Sequence, residues 1–267
     1  MYGFFIGDII GNSYTHENEK YNLKTKEFEL FTERSKFSDD TILTFATMDW
    51  LLNTTHTSKE MIEMIKIYYQ QYPDKIPTIY GQSFANWVEN GCTEFRKTTS
   101  NGGAMRCTPI AWYAKTLQEI DELIEKGITP THNTKKAKKG AKIVCYTIFY
   151  LKNGKTKNEL QKIIETKFKI NLKEDMNEYK KFYTYTSDAI ETVRPALISF
   201  LNSTSYEDAI RNAVSFGGDT DTITTLCSAI SEAYYVTIPN EIFEKAKSFL
   251  PQKFITLLQK FNEVIKK

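Results

Sequence analysis

Cysteine is scarce in this 267-residue chain: Cys92, Cys107, Cys145 and Cys227 are the only four, and no two are closely spaced. That excludes a disulfide framework and a zinc knuckle, and the four read as buried free thiols in a reducing compartment. Long apolar runs are missing too, none approaching the ~18–20 residues that cross a bilayer. The opening Met1–Asp8 is apolar, but it is short and has no basic start, which argues against a signal peptide. Charge of one sign is absent: 35 basic and 33 acidic residues leave +2, so no field demands nucleic acid or a membrane surface. Sustained period-2 alternation is lacking, with Tyr21–Phe31 the one candidate for a short extended segment. No Pro/Gly/Ser-rich linker and no internal repeat divides the chain. The reading is an all-α, soluble, cytoplasmic protein with residues 1–267 in a single domain.

What is present is helical periodicity. Helices are predicted at roughly 2–12, 39–53, 58–72, 80–90, 103–126, 134–152, 156–168, 186–202, 205–215, 221–236, 240–249 and 251–265. Segment 169–186 is rich in Lys and Glu and reads as a surface excursion. The run Lys135-Lys136-Ala137-Lys138-Lys139 reads as a solvated helix face rather than a phosphate clamp.

Glycine is the other scarce residue, twelve in all, and seven fall in three short stretches. Gly3, Gly7 and Gly11 recur every fourth position, making one smooth helix face for close approach of another helix or of a ligand. Helix packing is the preferred reading. Asp8 beside that face suits a helix cap or a supporting role behind other acidic groups. Gly102 and Gly103 lie in Thr98-Thr99-Ser100-Asn101-Gly102-Gly103-Ala104-Met105-Arg106, a polar loop ahead of a helix. Such a loop could wrap phosphate with backbone N–H groups, although no Lys-Ser/Thr follows to make a Walker A loop.

The third stretch opens Gly217-Gly218-Asp219-Thr220-Asp221-Thr222, directly ahead of an apolar helical run. A helix start favours negative charge, and one Asp or Thr suffices to cap it. Two carboxylates and two hydroxyls exceed that need, so an elaborate cap and a hard-cation site both remain open here. Ser38-Asp39-Asp40-Thr41 repeats the pattern at another helix start, with Ser38 as the cap. Adjacent carboxylates diverge by about 100° on a helix, so Asp39 and Asp40 would serve different ions or bridge a pair. Four carboxylates with hydroxyls form an oxygen ligand set suited to Mg²⁺, Mn²⁺ or Ca²⁺ rather than zinc.

GDIIG near the start, SDDT about thirty residues on, SNGGAMR near 100, THN at 131–133 and GGDTDT near 217 stand in the order found in ADP-ribosylglycohydrolases. The chain resembles that family, which includes dinitrogenase-reductase-activating glycohydrolase and the ADP-ribosyl-acceptor hydrolases, from Gly3 to about Tyr235. The resemblance implies a compact, orthogonally packed helical fold with two Mg²⁺ ions (Mn²⁺ as substitute) at a cleft floor. By motif position, Ser38, Asp39, Asp40, Asp219, Asp221 and Thr222 would be the metal ligands, and Ser100, Asn101, Gly102, Gly103 and Met105 would embrace diphosphate and ribose. His132 matches a ligand-contacting histidine of the family, while Thr134 stands where the family has a second. The family's opening phrase commonly carries a Glu at the position of Thr15; Glu17, two residues on, either substitutes for it or is an ordinary surface carboxylate. The segment Asp188–Ala196 loosely matches a ligand-lining phrase, from which Arg194 and Pro195 depart.

The implied activity is Mg²⁺-dependent hydrolysis of the glycosidic bond between ADP-ribose and an acceptor, with Asp39, Asp40 and Glu17 as catalytic candidates. The acceptor would be a protein side chain, arginine or serine, or an ADP-ribose-containing small molecule, with a nucleic-acid acceptor also open; the family default is a monomer. A two-metal phosphoesterase and a non-hydrolysing ADP-ribose binder are the alternatives. The cleft rim is expected near residues 15–22, 81–100 and 183–192.

Overall fold

The computed structural model describes residues 1–15, 24–73 and 79–266, and among these every regular element is a helix. The order begins with α1 (Gly3–Asn12), α2 (Asp39–Asn53), α3 (Ser58–Gln71) and α4 (Gln82–Glu89). It continues through α5 (Gly102–Met105), α6 (Thr108–Tyr113), α7 (Leu117–Gly127), α8 (Lys135–Lys152) and α9 (Lys157–Phe168). The remainder is α10 (Met176–Phe182), α11 (Ala189–Leu201), α12 (Tyr206–Val214), α13 (Thr220–Tyr235), α14 (Asn240–Lys247) and α15 (Gln252–Ile265). The all-α expectation holds. Residues 24–31 of the expected extended segment form no strand, and 21–23 lie outside the described residues. Among the described residues the single extended pairing is an isolated bridge between Ser100 and Asp188.

Polar caps set most helix starts. Thr57 and Thr156 each form a full capping box, with Glu60 and Glu159, and Thr134, Asp188 and Ser205 cap α8, α11 and α12. The single helix predicted over 103–126 is instead three. Pro109 lacks an N–H and opens α6 rather than continuing α5, Ala114 turns to extended backbone, and Thr116 caps a new start. Pro195, by contrast, lies inside α11 without ending it. A proline there frees the carbonyl of the residue four earlier, Glu191, and the Tyr183 hydroxyl donates to that oxygen at 3.1 Å. Segment 169–186 is only partly the expected surface excursion. Its α10 buries no residue, but Tyr183 is buried and meets Tyr179 and Phe216 edge to face.

One hydrophobic core runs through the described chain, with Phe4, Phe45, Trp50, Phe200, Phe216 and Phe254 fully buried. Its centre is α13, against which α1 lies antiparallel. The smooth face of α1 is what permits this. A Cβ at Gly3, Gly7 or Gly11 would fall 2.5, 2.2 or 2.6 Å from the backbone oxygens of Ser228, Thr224 and Thr220. Side chains would hold the two backbones apart, so the packing reading of the stripe is correct. Ser228 Oγ donates to the Gly3 carbonyl at 2.7 Å, and Glu232 accepts the N–H groups of Tyr2 and Gly3, each at 2.7 Å, capping α1 from α13. Asp8 on α1 is thereby fixed against the first turn of α13. Among the described residues no helix is long and apolar enough to cross a membrane.

Candidate functional site

Three helices aim carboxylates at one point. The α2 start supplies Asp39 and Asp40, the α13 start supplies Asp219 and Asp221, and α1 supplies Asp8. The chain reaches α13 through Gly217 and Gly218, at φ 71° and 74°, a left-handed pair that costs other residues strain and glycine none. A carboxylate oxygen from each of Asp8, Asp40 and Asp221 lies within 4.8 Å of the other two. Asp8 also caps α2: its Oδ2 accepts from Ser38 N at 2.8 Å and Thr41 N at 3.1 Å, and its Oδ1 from Ser38 Oγ at 2.7 Å. It therefore performs the expected capping and stands in the acidic trio as well. Ser38 Oγ accepts from Asp40 N at 3.1 Å, and Thr222 Oγ1 donates to Asp40 Oδ2 at 3.2 Å, tying the two motifs together.

Electrostatics shows how incomplete the cluster is without a counter-charge. Burial, then the Asp221 charge, raises Asp8 to about 7 against hydrogen bonds from Thr41 and Ser38 that pull it down. Desolvation first and Asp221 second also push Asp39, Asp40 and Asp219 well above the usual carboxylate range. Asp40 Oδ1 is buried with no hydrogen-bond partner. A carboxylate with an unpartnered oxygen, held near two others at that spacing, matches the oxygen donor set of a hard divalent cation.

The loop of residues 98–105 forms the adjoining wall. Asn101 Nδ2 donates to Asp219 Oδ2 and, at 3.0 Å, to Thr192 Oγ1, linking loop, metal motif and α11. Ser100 Oγ lies 3.1 Å from His132 Nε2. Burial, then Arg106 and Arg96, hold the His132 pKa well below its ordinary value, so the ring is neutral. The glycine pair gives this ring room: a Cβ on Gly102 would meet His132 Cε1 at 3.0 Å, and one on Gly103 would meet Ile128 Cγ2 at 2.7 Å.

Motif and wall share a cleft of about 800 Å³, lined by Ser38, Asp39, Asp40, Asp219, Asp221 and Thr222 on one side. Ser100, Asn101, Gly102, Met105 and His132 line the other side, while Gly103 sits behind it under His132. Glu17 lies outside the described residues, and so do 16–22 of the expected rim. Segment 188–196 supports the wall rather than lining it: Asp188 pairs with Lys136 at 2.8 Å, and Arg194 pairs with Glu174 at 2.7 Å. The expected solvated face at Lys135–Lys139 carries such pairs, Lys138 to Glu125 at 2.9 Å among them. Phe84 and Arg96 line the cleft within the expected rim segment 81–100, the Arg96 guanidinium lying 5.6 Å over the Phe84 ring, whereas Arg34 and Tyr80 line it from outside every expected segment. No local spacing marks Arg34 or Tyr80, which reach the cleft only through the fold.

A family model described as ADP-ribosylglycohydrolase matches residues 1–264 of the chain. Among solved structures, an ADP-ribosylglycohydrolase-related protein complex superposes with a TM-score of 0.72 at 17% sequence identity, over 98% of this chain and 95% of that one. At that identity the likeness establishes the fold and leaves the ligand to the residues themselves.

Proposed function

The chain belongs to the ADP-ribosylglycohydrolase family, and from that premise we propose that it hydrolyses the glycosidic bond joining ADP-ribose to a modified acceptor. The proposed acceptor is a protein side chain, arginine or serine, and two Mg²⁺ ions, replaceable by Mn²⁺, are the proposed cofactor. One observation carries the reading: Asp8, Asp40 and Asp221 converge at the cleft floor with Asp40 Oδ1 buried and unpartnered. Asp40, Asp221 and Thr222, with Asp8 behind them, would hold one cation. Asp39 and Asp219, half-buried on the cleft side, with Ser38 would complete a second. Bound there, the ions would supply Lewis acidity toward the ribose hydroxyls and the attacking water.

The protein's own groups do the rest. Cleavage builds positive oxocarbenium character at the anomeric carbon, which the carboxylates of Asp39 and Asp219 stabilise electrostatically. Asp39 faces the cleft, and it is the proposed general base toward the attacking water. Ser100, Asn101 and His132 would orient the diphosphate and ribose on the facing wall.

A second reading, ADP-ribose binding without turnover, is favoured by Thr15, which lines the cleft where the family commonly carries a glutamate. Arginine-, serine- and nucleic-acid-linked ADP-ribose, assayed with and without EDTA, separates the readings. EDTA-sensitive release of free ADP-ribose supports hydrolysis. Binding of ADP-ribose with no release on any acceptor selects the second reading, and phosphate release without free ADP-ribose selects a phosphoesterase.

A further inference from the structure

Arg106 is fully buried, and among the described residues no carboxylate pairs with it. Burying an unpaired guanidinium is costly, so its hydrogen bonds indicate what it serves. Nη1 reaches Thr47 Oγ1 at 3.1 Å, and Nη2 donates to Gly127 O at 2.9 Å and to Thr131 Oγ1 at 2.7 Å. Thr131 Oγ1 in turn lies 2.7 Å from His132 Nδ1, and His132 Nε2 lies 3.1 Å from Ser100 Oγ on the cleft wall.

Counting protons gives this chain a direction. Arginine only donates, so it occupies one lone pair of Thr131 Oγ1. The Thr131 hydroxyl proton has two possible acceptors, Ile128 O at 3.2 Å and His132 Nδ1 at 2.7 Å. The backbone N–H groups of Thr131 and His132, at 3.1 and 3.0 Å, already fill both lone pairs of Ile128 O. The hydroxyl proton therefore goes to Nδ1, and the single proton of the neutral imidazole sits on Nε2, donating to Ser100 Oγ. Thr98 Oγ1 also donates to Ser100 Oγ, at 3.1 Å. With both of its lone pairs used, Ser100 has its own proton left to offer the cleft.

We infer that Arg106 is a positioning residue that, through Thr131, fixes His132 in the Nε2–H tautomer, so that Ser100 presents a polarised donor to an anionic oxygen of the ligand. Every donor in the series points away from the buried cation, and each bond strengthens the next. The ligand class is a phosphoryl oxygen, which on the reading above belongs to the diphosphate of ADP-ribose.

The test is ¹⁵N–¹H correlation of the imidazoles at neutral pH in the full-length protein. The chain has only His16, His56 and His132, and a His132→Gln variant assigns the relevant signals. The expected wild-type pattern is a neutral ring with the proton on Nε2; a proton on Nδ1, or an imidazolium, overturns the inference. Thr131→Val should give mixed tautomers and weaken ADP-ribose about three- to tenfold in calorimetric titration, the range for one hydrogen bond. Thr131→Ser should restore both. An unchanged Nε2–H signal in Thr131→Val overturns the relay. Arg106→Met should behave as Thr131→Val does; where it fails to fold, Thr131→Val, which removes the same link, decides. The tautomer is read without ligand, so failure of ADP-ribose to bind the wild type would sink the proposed function while leaving the relay standing.

Discussion

Replacing Gly7 with alanine tests whether helix packing builds the acidic cluster. The added Cβ would lie 2.2 Å from Thr224 O, 2.6 Å from Thr224 C and 2.7 Å from Thr225 Cα. Carbon–oxygen contacts settle near ~3.3 Å or beyond, so α1 must retreat from α13 by about 1 Å. The obstacle is helix backbone, which no rotamer change can clear. Alanine gains ~1 kcal/mol in helix propensity, while overpacking costs roughly 1–3 kcal/mol and more where main chain must move. We place the net loss at about 2 kcal/mol, or a melting temperature roughly 4–8 °C lower for a chain of this size. Asp8, the next residue, moves with α1. Metal sites tolerate shifts of about 0.2 Å in ligand distance, so Mg²⁺ affinity should fall about tenfold or more. Calorimetric unfolding in EDTA and isothermal Mg²⁺ titration read the two effects separately. Gly81→Ala, where a Cβ meets nothing within 4 Å, is the control and should stay within about 0.5 kcal/mol. A Gly7→Ala protein as stable as wild type, or one that binds Mg²⁺ equally well, would refute the reasoning.

Further outcomes follow from the cluster's charge. The folded pKa of Asp8, about 7, exceeds its ordinary 3.8, so the folded state binds the extra proton. Metal-free stability should therefore fall as pH rises from about 4 to about 7, and Mg²⁺ should raise the melting temperature more near pH 8 than near pH 5.5, checked by scanning fluorimetry. Asp40→Asn removes a charge from the trio: metal-free stability should rise or hold while the Mg²⁺-induced gain disappears, and a full Mg²⁺ gain in this variant would contradict the ligand assignment. Asp39→Ala should lower hydrolysis at least ~10²-fold, the range for losing a general base, and Asp221→Ala should remove the EDTA-sensitive activity. Both variants hydrolysing at wild-type rates with intact Mg²⁺ dependence would end the assignment.

Much of this architecture is written locally. Caps such as Thr57 with Glu60 and Thr156 with Glu159 need only a few neighbouring residues, so the helix starts they mark are readable without the fold. The failure at 103–126 is instructive, because apolar spacing continues while the backbone breaks at Arg106–Cys107, just ahead of Pro109, and again at Ala114. A proline can open a helix as readily as it stops one. Asp39, Asp40, Asp219 and Asp221 stood out by exceeding what capping needs. Asp8 did not, since its place depends on α1 sinking onto the backbone of α13, a contact more than 200 residues apart in sequence. Arg106 was less readable still. Nothing in an arginine three residues after a glycine pair says that it will be wholly buried.

The choice between an elaborate cap and a cation site turns on how the carboxylate oxygens are used. A capping carboxylate is stabilised by the N–H groups it accepts, and Asp8 meets that description with two backbone N–H donors and a hydroxyl. Asp40 does not. Its Oδ2 receives only the Thr222 hydroxyl, since Ser38 gives its one proton to Asp8, and its Oδ1 receives nothing, in a group that lies near two further carboxylates. Unit charges 4 Å apart repel by about 4 kcal/mol in a medium of effective dielectric ~20, more than a cap contributes. A fold that needed only two helix starts could relieve that repulsion by changing Asp40 or Asp221 to serine or asparagine, since neither holds the N-cap place, which belongs to Ser38 on α2 and Asp219 on α13. Keeping both acidic fits a site in which a divalent cation turns the repulsion into coordination.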